Sequence, residues 1–297
     1  MAKSIGITLA ERVASGLVEG GKLAGPLLFF PENEHDDDAM VELHAEALVK
    51  RLCEQVVAAA GGATDVTAVG VALPGLIKQG VVEEAPNFPQ LKGARVQEML
   101  NAELQRCGIN APVKIFNDAD AVAAGLAAQQ GKLDTLVRVW TLGTGIGYGR
   151  YPFVEGVWEG GHTVVTLEDK ETYCGCGGRG HLEGIMGHRA MRLRFLDMEP
   201  EEVFAAAKEG DHRCCEFKKL WHKALAAATA SAIHVSGPGK FYLTGYNVRF
   251  VELPLLKDYL QQMVKMSPLQ SYSVEILAAQ DETEVVGAGV MAAQALK

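Results

Sequence analysis

The chain has 297 residues, 48% of them hydrophobic and 22% charged, which is ordinary globular material, long enough for a large core and for two domains. Its 28 basic and 37 acidic residues give a net charge of −9, and with no Lys/Arg run this argues against a general nucleic-acid surface. No uncharged apolar stretch reaches the roughly 18 to 20 residues of a membrane span, and the six cysteines do not form a secreted disulfide framework, so a reducing cytoplasm is expected.

MAKSIGITLAERV enters a strand pattern at once, without an apolar signal core. SIGITLA, RVASGLVEG and KLAGPLLFF then read as short antiparallel strands joined by Gly-containing turns. A helix is expected over about 38–60, with the carboxylates of PENEHDDD at its N-terminus, where the helix dipole favours them. VTAVGVALPG reads as a buried strand, 95–107 as a helix and VKIFND as a strand opening the Ala-rich helix ADAVAAGLAAQQG. VRVWTLGTGIGYGRYPFVEG then starts a new β-hairpin, so the α/β pattern begins twice. EPEEVFAAAKEGD and CEFKKLWHKALAAATASAIHV are helical, GKFYLTGYNVR is a strand ending at Gly245, and a helix over about 253–265, the strand SVEILAA and the helix EVVGAGVMAAQAL finish the chain.

Three stretches carry chemistry. In LGTGIGYG the glycines, among them Gly143, Gly145 and Gly147, let backbone amides approach an anion, and Thr144 adds a hydroxyl. Because a strand follows rather than a helix, this is a strand-turn-strand phosphate loop and not a dinucleotide fingerprint; the alternative is a hairpin with no ligand. In FNDAD, Asp118 stands where a strand meets a helix, able to take a proton from a hydroxyl, although Asn-Asp before a helix is also an ordinary N-cap. Asn87 in PNFPQLKG is by itself a turn residue. In EGGH and CGCGGRGHLE, His162, Cys174, Cys176 and His181 offer four soft ligands with a Gly-rich turn between them, a zinc set; the alternative is a reduced surface loop. One residue between Cys174 and Cys176 disfavours a disulfide. Glu159 and Glu183 flank these ligands with carboxylates of the kind that clusters around sugar hydroxyls.

In this order the motifs resemble the ROK family of bacterial sugar kinases and sugar-responsive repressors, over nearly the whole chain. VGVALPGLI is similar to its strand and Pro-Gly turn, NFPQLKG to its Asn-Leu-Pro sugar loop and FNDADAVAAG to its Glu-Asn-Asp-Ala-Asn segment. LGTGIGYG resembles its second phosphate motif, and EGGH with CGCGGRGHLE its sugar-and-zinc signature, with His181 where the family usually has cysteine. The resemblance implies an actin-like, ribonuclease-H-like α/β fold of two lobes with a central cleft, here 1–117 with the closing helix 287–297, and 118–286. It implies transfer of phosphoryl from ATP with Mg²⁺ to a hexose hydroxyl, with Asp118 as general base. The sugar contacts would be Asn87, Asn117, Glu159, His162 and Glu183, and the nucleotide contacts Gly143, Thr144, Gly145, Gly147 and Gly245. It further implies a structural Zn²⁺ and a homodimer or dimer of dimers. The first strand at residue 4 leaves no helix-turn-helix before it, which disfavours a repressor.

The N-terminus departs from the resemblance. Where the family has an Asp-x-Gly-Gly-Thr loop, ITLAERVASGLV puts Leu9 and Ala10 at the two glycines and Ile7 or Thr8 at the aspartate, with Glu11 as a partial substitute. The adenosine-side glycine run is thinned to TGYN at 244–247. A sugar-binding sensor without kinase activity and a kinase using another phosphoryl donor are therefore the alternatives.

Overall fold

The computed structural model describes residues 3–10, 12–33, 40, 43–154, 156, 159–265, 271–278 and 280–296. The contacts divide the chain into unit 1 (1–137, 149–157 and 280–297) and unit 2 (138–148 and 158–279).

Unit 1 is built on β1 (Lys3–Leu9), β2 (Val13–Glu19), β3 (Lys22–Leu23), β4 (Leu28–Phe30), β5 (Val66–Leu73) and β8 (Val113–Asn117), in the order β3-β2-β1-β5-β8 with β4 also on β2. β1 pairs antiparallel with β2, Gly6 opposite Gly16 and Leu9 opposite Val13, while β1, β5 and β8 run parallel. The hairpin β6 (Leu76–Lys78) and β7 (Val81–Glu84) lies beyond the tight turn at Gly75. Its helices are α1 (Ala45–Ala60), α2 (Val96–Arg106), α3 (Asp118–Gln129) and α9 (Asp281–Gln294).

The period of two along β1 and β5 sorts their side chains between two faces. Ile5, Ile7, Leu9, Val69, Val71 and Leu73 join a core with Leu48, Leu52 and Leu100 of α1 and α2. The alternate positions are small, and α9 lies on them backbone to backbone. A Cβ at Gly6 would stand 1.8 Å from the Val285 carbonyl oxygen, and one at Gly70 would stand 1.9 Å from that of Ala288. α3 meets α9 in the same way, through Gly125 against Thr283 O at 1.8 Å and Gly287 against Ala121 O at 1.7 Å.

Unit 2 carries the sheet β10 (Ile146–Tyr151), β9 (Val137–Leu142), β11 (Lys240–Thr244) and β12 (Ser273–Ile276), in that order, with β11 and β12 parallel. Its helices are α4 (Leu182–Met186), α5 (His188–Arg194), α6 (Pro200–Glu209), α7 (His212–Ser236) and α8 (Leu253–Met263). Trp140, Trp221, Leu225 and Phe241 centre its core, and the Trp140 indole donates to Thr229 Oγ1 at 3.1 Å. No described helix is long and apolar enough to cross a membrane.

Three sequence expectations shift. The first helix begins at Ala45 rather than near 38, because Met40 is buried in the core and holds a turn with Leu43; the acidic stretch at 34–39 lies outside the described residues. The expected boundary after 117 would detach α3, whereas its glycine contacts with α9 keep it in unit 1. α4 and α5 were not anticipated, being too short to show a helical period. The packing itself is testable. Gly6→Ala should lower the unfolding free energy by at least about 3 kcal/mol in urea melts, since both colliding groups are backbone and neither can yield cheaply.

Candidate functional site

The glycine-rich hairpin forms as expected. β9 ends at Leu142 and β10 starts at Ile146, with Gly143 N donating to Gly145 O at 3.0 Å across the turn and Thr144 exposed at its tip. Gly147 lies inside β10, beyond the turn. At Gly145 the need for glycine comes from close approach, since a Cβ there would lie 2.6 Å from Glu183 Oε2. Gly245 has φ 92° and follows β11; a Cβ there would stand 2.5 Å from Leu142 O, so glycine lets that turn press against the base of the hairpin.

The ligand atoms of His162, Cys174, Cys176 and His181 all lie within 4.8 Å of one another. Cys174 and Cys176 Sγ are 3.4 Å apart, free thiols and not a disulfide, and Cys176 Sγ is 3.2 Å from His181 Nδ1. Glycines shape this cluster. Gly160 and Gly161 press the turn ending at His162 onto Tyr148 and Ile146, with only 2.4 Å and 2.1 Å for a Cβ. A Cβ at Gly178 would strike the His181 ring at 2.0 Å, and the Gly178 amide donates to Cys176 Sγ at 3.3 Å. Burial pushes the Cys174 thiol up to about 12, a penalty that a bound cation reverses. Two sulfurs and two imidazoles gathered this closely match the donor set and compactness of a tetrahedral zinc site.

Glu183, in the first turn of α4, joins this cluster to the hairpin. Its Oε2 accepts the Ile146 amide at 3.0 Å, while Oε1 is 3.6 Å from Cys174 Sγ and 3.9 Å from His162 Nε2. Glu159 lies 3.7 Å from His162 Nδ1. Thus Glu159, His162 and Glu183 form one polar group in unit 2.

In unit 1, Asn117 ends β8 and caps α3. Its Oδ1 accepts the Ala119 amide at 2.9 Å and its Nδ2 donates to Gly75 O at 3.1 Å, so both ends of the amide are already engaged. Asp118 follows, half-buried, also accepting from Ala119 N. Asn87 is exposed in the turn before residues 89–91. Residues 7–9 of the first-loop region are strand, and Ala10 is exposed in the bend that follows, its amide donating to Arg12 O at 3.2 Å. Leu9 is fully buried and paired with Val13, and Ile7 and Thr8 are buried too; Glu11 lies outside the described residues.

Several residues here escaped the sequence reading. Asn247, buried, donates from Nδ2 to Gly143 O at 2.9 Å and accepts from His188 Nδ1 at 3.2 Å, and Thr144 Oγ1 is 3.3 Å from the Tyr246 hydroxyl. Glu284, in the first turn of α9, is held well above the usual carboxylate range by burial and by Asp118, and its Oε1 has no hydrogen-bond partner among the described residues. Asp120, buried against the Arg150 amide at 2.8 Å, is raised by burial to about 7. The one signal available in sequence was that Asp120 replaces the asparagine of the similar segment.

An antiparallel three-strand start continued by two parallel strands, with helices on both faces and a second α/β unit, is the actin-like ATPase fold. Among solved structures, a ROK hexokinase from Thermus thermophilus matches with a TM-score of 0.82 at 22% identity, covering 99% of each chain. A ROK family glucokinase from Streptomyces griseus, in complex with glucose and AMPPNP, matches at 0.67 and 23%, over 99% of this chain and 100% of that one. The chain belongs to the ROK family, whose model matches residues 33–295. A glucokinase from Pyrobaculum calidifontis is 28% identical over 254 residues, 78% of this chain and 80% of the relative.

The buried Asp120 gives a pH test. With its pKa near 7 in the folded protein against 3.8 ordinarily, the folded state holds this proton the more tightly. The stability that the proton confers is therefore full below pH 3.8 and lost as pH rises through 7. Asp120→Asn should gain stability over the wild type between pH 5 and pH 8, by about 2 kcal/mol, read from urea melts at the two values.

Proposed function

We propose that the protein is a sugar kinase that transfers a phosphoryl group to a hexose or hexose-derivative hydroxyl. The observation that carries this is Glu183, which puts a sugar-type carboxylate, the cysteine-histidine cluster and the glycine hairpin into direct contact within one unit. The relatives support the substrate class, two of them being glucokinases and a third an N-acetylmannosamine kinase.

In this reading Asp118 takes the proton of the acceptor hydroxyl as the oxygen attacks the donor's terminal phosphorus and the bond from that phosphorus to the bridging oxygen breaks, releasing the donor shortened by one phosphoryl group. Asn117, with both amide ends engaged, holds the head of α3 and so orients Asp118. Glu159, His162 and Glu183 accept and donate hydrogen bonds to sugar hydroxyls, together with Asn87. Gly143, Thr144 and Gly145 hold donor phosphate, with Gly245 setting the neighbouring turn. His162, Cys174, Cys176 and His181 would hold Zn²⁺, which would supply a structural crosslink for the loop. His162, placed in both groups, would offer one ring nitrogen to the metal and the other to the sugar. For Mg²⁺, Ile7 or Thr8 stands at the end of β1 where the resemblance has an aspartate, so among the described residues there no carboxylate would hold it. A homodimer or dimer of dimers in the cytoplasm goes with this reading.

A second reading, a hexose sensor without turnover, is favoured by Leu9, whose side chain is locked in the core where the resemblance has a phosphate-loop glycine. Hexose affinity of ordinary strength with weak ATP binding is expected on either reading, and turnover separates them. Assays over hexoses and amino sugars, with ATP and with polyphosphate, should give phosphorylated sugar. Asp118→Asn should then lower turnover by roughly 10² to 10⁴ while sugar affinity changes little. Hexose binding with no product from either donor establishes the sensor, and unchanged turnover in Asp118→Asn removes Asp118 as the base.

A further inference from the structure

The turn after β11 is held against the glycine hairpin more firmly than a connecting turn requires. Close approach of Gly245 to Leu142 brings it in, and Asn247 then ties it to the hairpin and to His188. Asn247 Nδ2 and the His188 amide both donate to Gly143 O, at 2.9 and 3.0 Å, and His188 Nδ1 donates to Asn247 Oδ1 at 3.2 Å. Tyr246 is the residue these contacts position.

Its ring runs alongside Gly143, with Cε1 3.5 Å from where a Cβ would be. The His188 ring lies edge-on with centroids 5.2 Å apart, and the Arg249 guanidinium is 5.8 Å from the ring centroid. The acids nearest His188 are neutralised, Glu199 by Arg192 and Glu201 by Arg249. Although supported in this way, Tyr246 remains 46% exposed, and its hydroxyl stands 3.3 Å from that of the exposed Thr144.

Two neutral hydroxyls that face each other can place only one proton between them, and at 3.3 Å that bond is weak. An anion arriving beside them lets both protons turn outward, exchanging one long neutral bond for two charge-assisted ones. We infer that Tyr246 is a phosphoryl-donor contact: its hydroxyl and that of Thr144 form a paired donor for an oxygen of a condensed phosphate, whether a nucleoside triphosphate or an inorganic polyphosphate. This rests on the reading of residues 143–145 as the phosphate loop. It also gives the donor site a hydrogen-bond donor that does not depend on the Leu9 and Ala10 region.

The test measures binding of AMPPNP and of tripolyphosphate to the full chain by calorimetry, in the wild type, Tyr246→Phe and Thr144→Ala, with hexose affinity confirming that each variant is folded. Tyr246→Phe keeps the ring and removes only the hydroxyl. It should weaken both probes about three- to tenfold, as expected for losing one hydrogen bond to a charged group at a partly exposed site, and Thr144→Ala should do the same. If Thr144→Ala weakens binding but Tyr246→Phe leaves it unchanged or tighter, this inference fails and the loop reading stands. Should neither variant change binding, or the wild type bind neither probe at millimolar concentration, the loop reading fails and takes the inference with it. Weakening of AMPPNP without tripolyphosphate assigns the hydroxyl to the nucleoside and overturns the phosphate contact.

Discussion

One carboxylate ties unit 2 together. Glu183 occupies a helix of only five residues, yet its two oxygens reach in opposite directions, to the Ile146 amide at the base of the hairpin and to Cys174 and His162 in the metal-type cluster. Removing it orphans a buried amide on one side and releases the cysteine loop on the other. Gly145 is glycine because that carboxylate passes so close, and His181 immediately precedes the helix that carries it. Sugar-type acids, soft ligands and the phosphate-type turn are thus a single hydrogen-bonded body and not three motifs that happen to share a chain.

The halves of the chemistry are built to different standards. Around Glu183, Gly145, Gly161, Gly178 and Gly180 each have a carboxylate, carbonyl or ring pressed against them. At the end of β1 the corresponding economy is missing. Leu9 is a strand residue whose side chain is fully buried in the core with α1, where the resemblance has a phosphate-loop glycine. In unit 2 the hairpin is instead braced, its turn tied to Asn247 and His188.

Local signals explain what the sequence made legible. The strand-turn-strand character of 137–151, the antiparallel start and the long helices follow from periods of two and 3.6 with glycine punctuation. The four candidate zinc ligands lie within twenty residues and could be grouped by spacing and softness, which the geometry then draws within 4.8 Å. Contacts that depend on pairing distant elements stayed hidden. Tyr246 meets Thr144 across 102 residues and Asn247 meets Gly143 across 104. Cys53 and Cys107, isolated in sequence, have their sulfurs 3.6 Å apart. Gly6, Gly70, Gly125 and Gly287 read as ordinary small residues, because only the approach of α9 reveals that each faces a carbonyl. Asn117 shows how a residue can serve both readings, since the N-cap and the grip on Gly75 are what a rigid Asp118 needs.

In the proposed function the cysteine-histidine loop is a zinc site coupled through Glu183 to sugar binding. The most direct measurement is hexose affinity by calorimetry on protein of known zinc content, before chelation, after chelation and after zinc is returned. One zinc per chain, at least a tenfold loss of hexose affinity on its removal and recovery with zinc but not magnesium are predicted. A chain purified without zinc, or hexose affinity unchanged after complete zinc removal, contradicts the coupling.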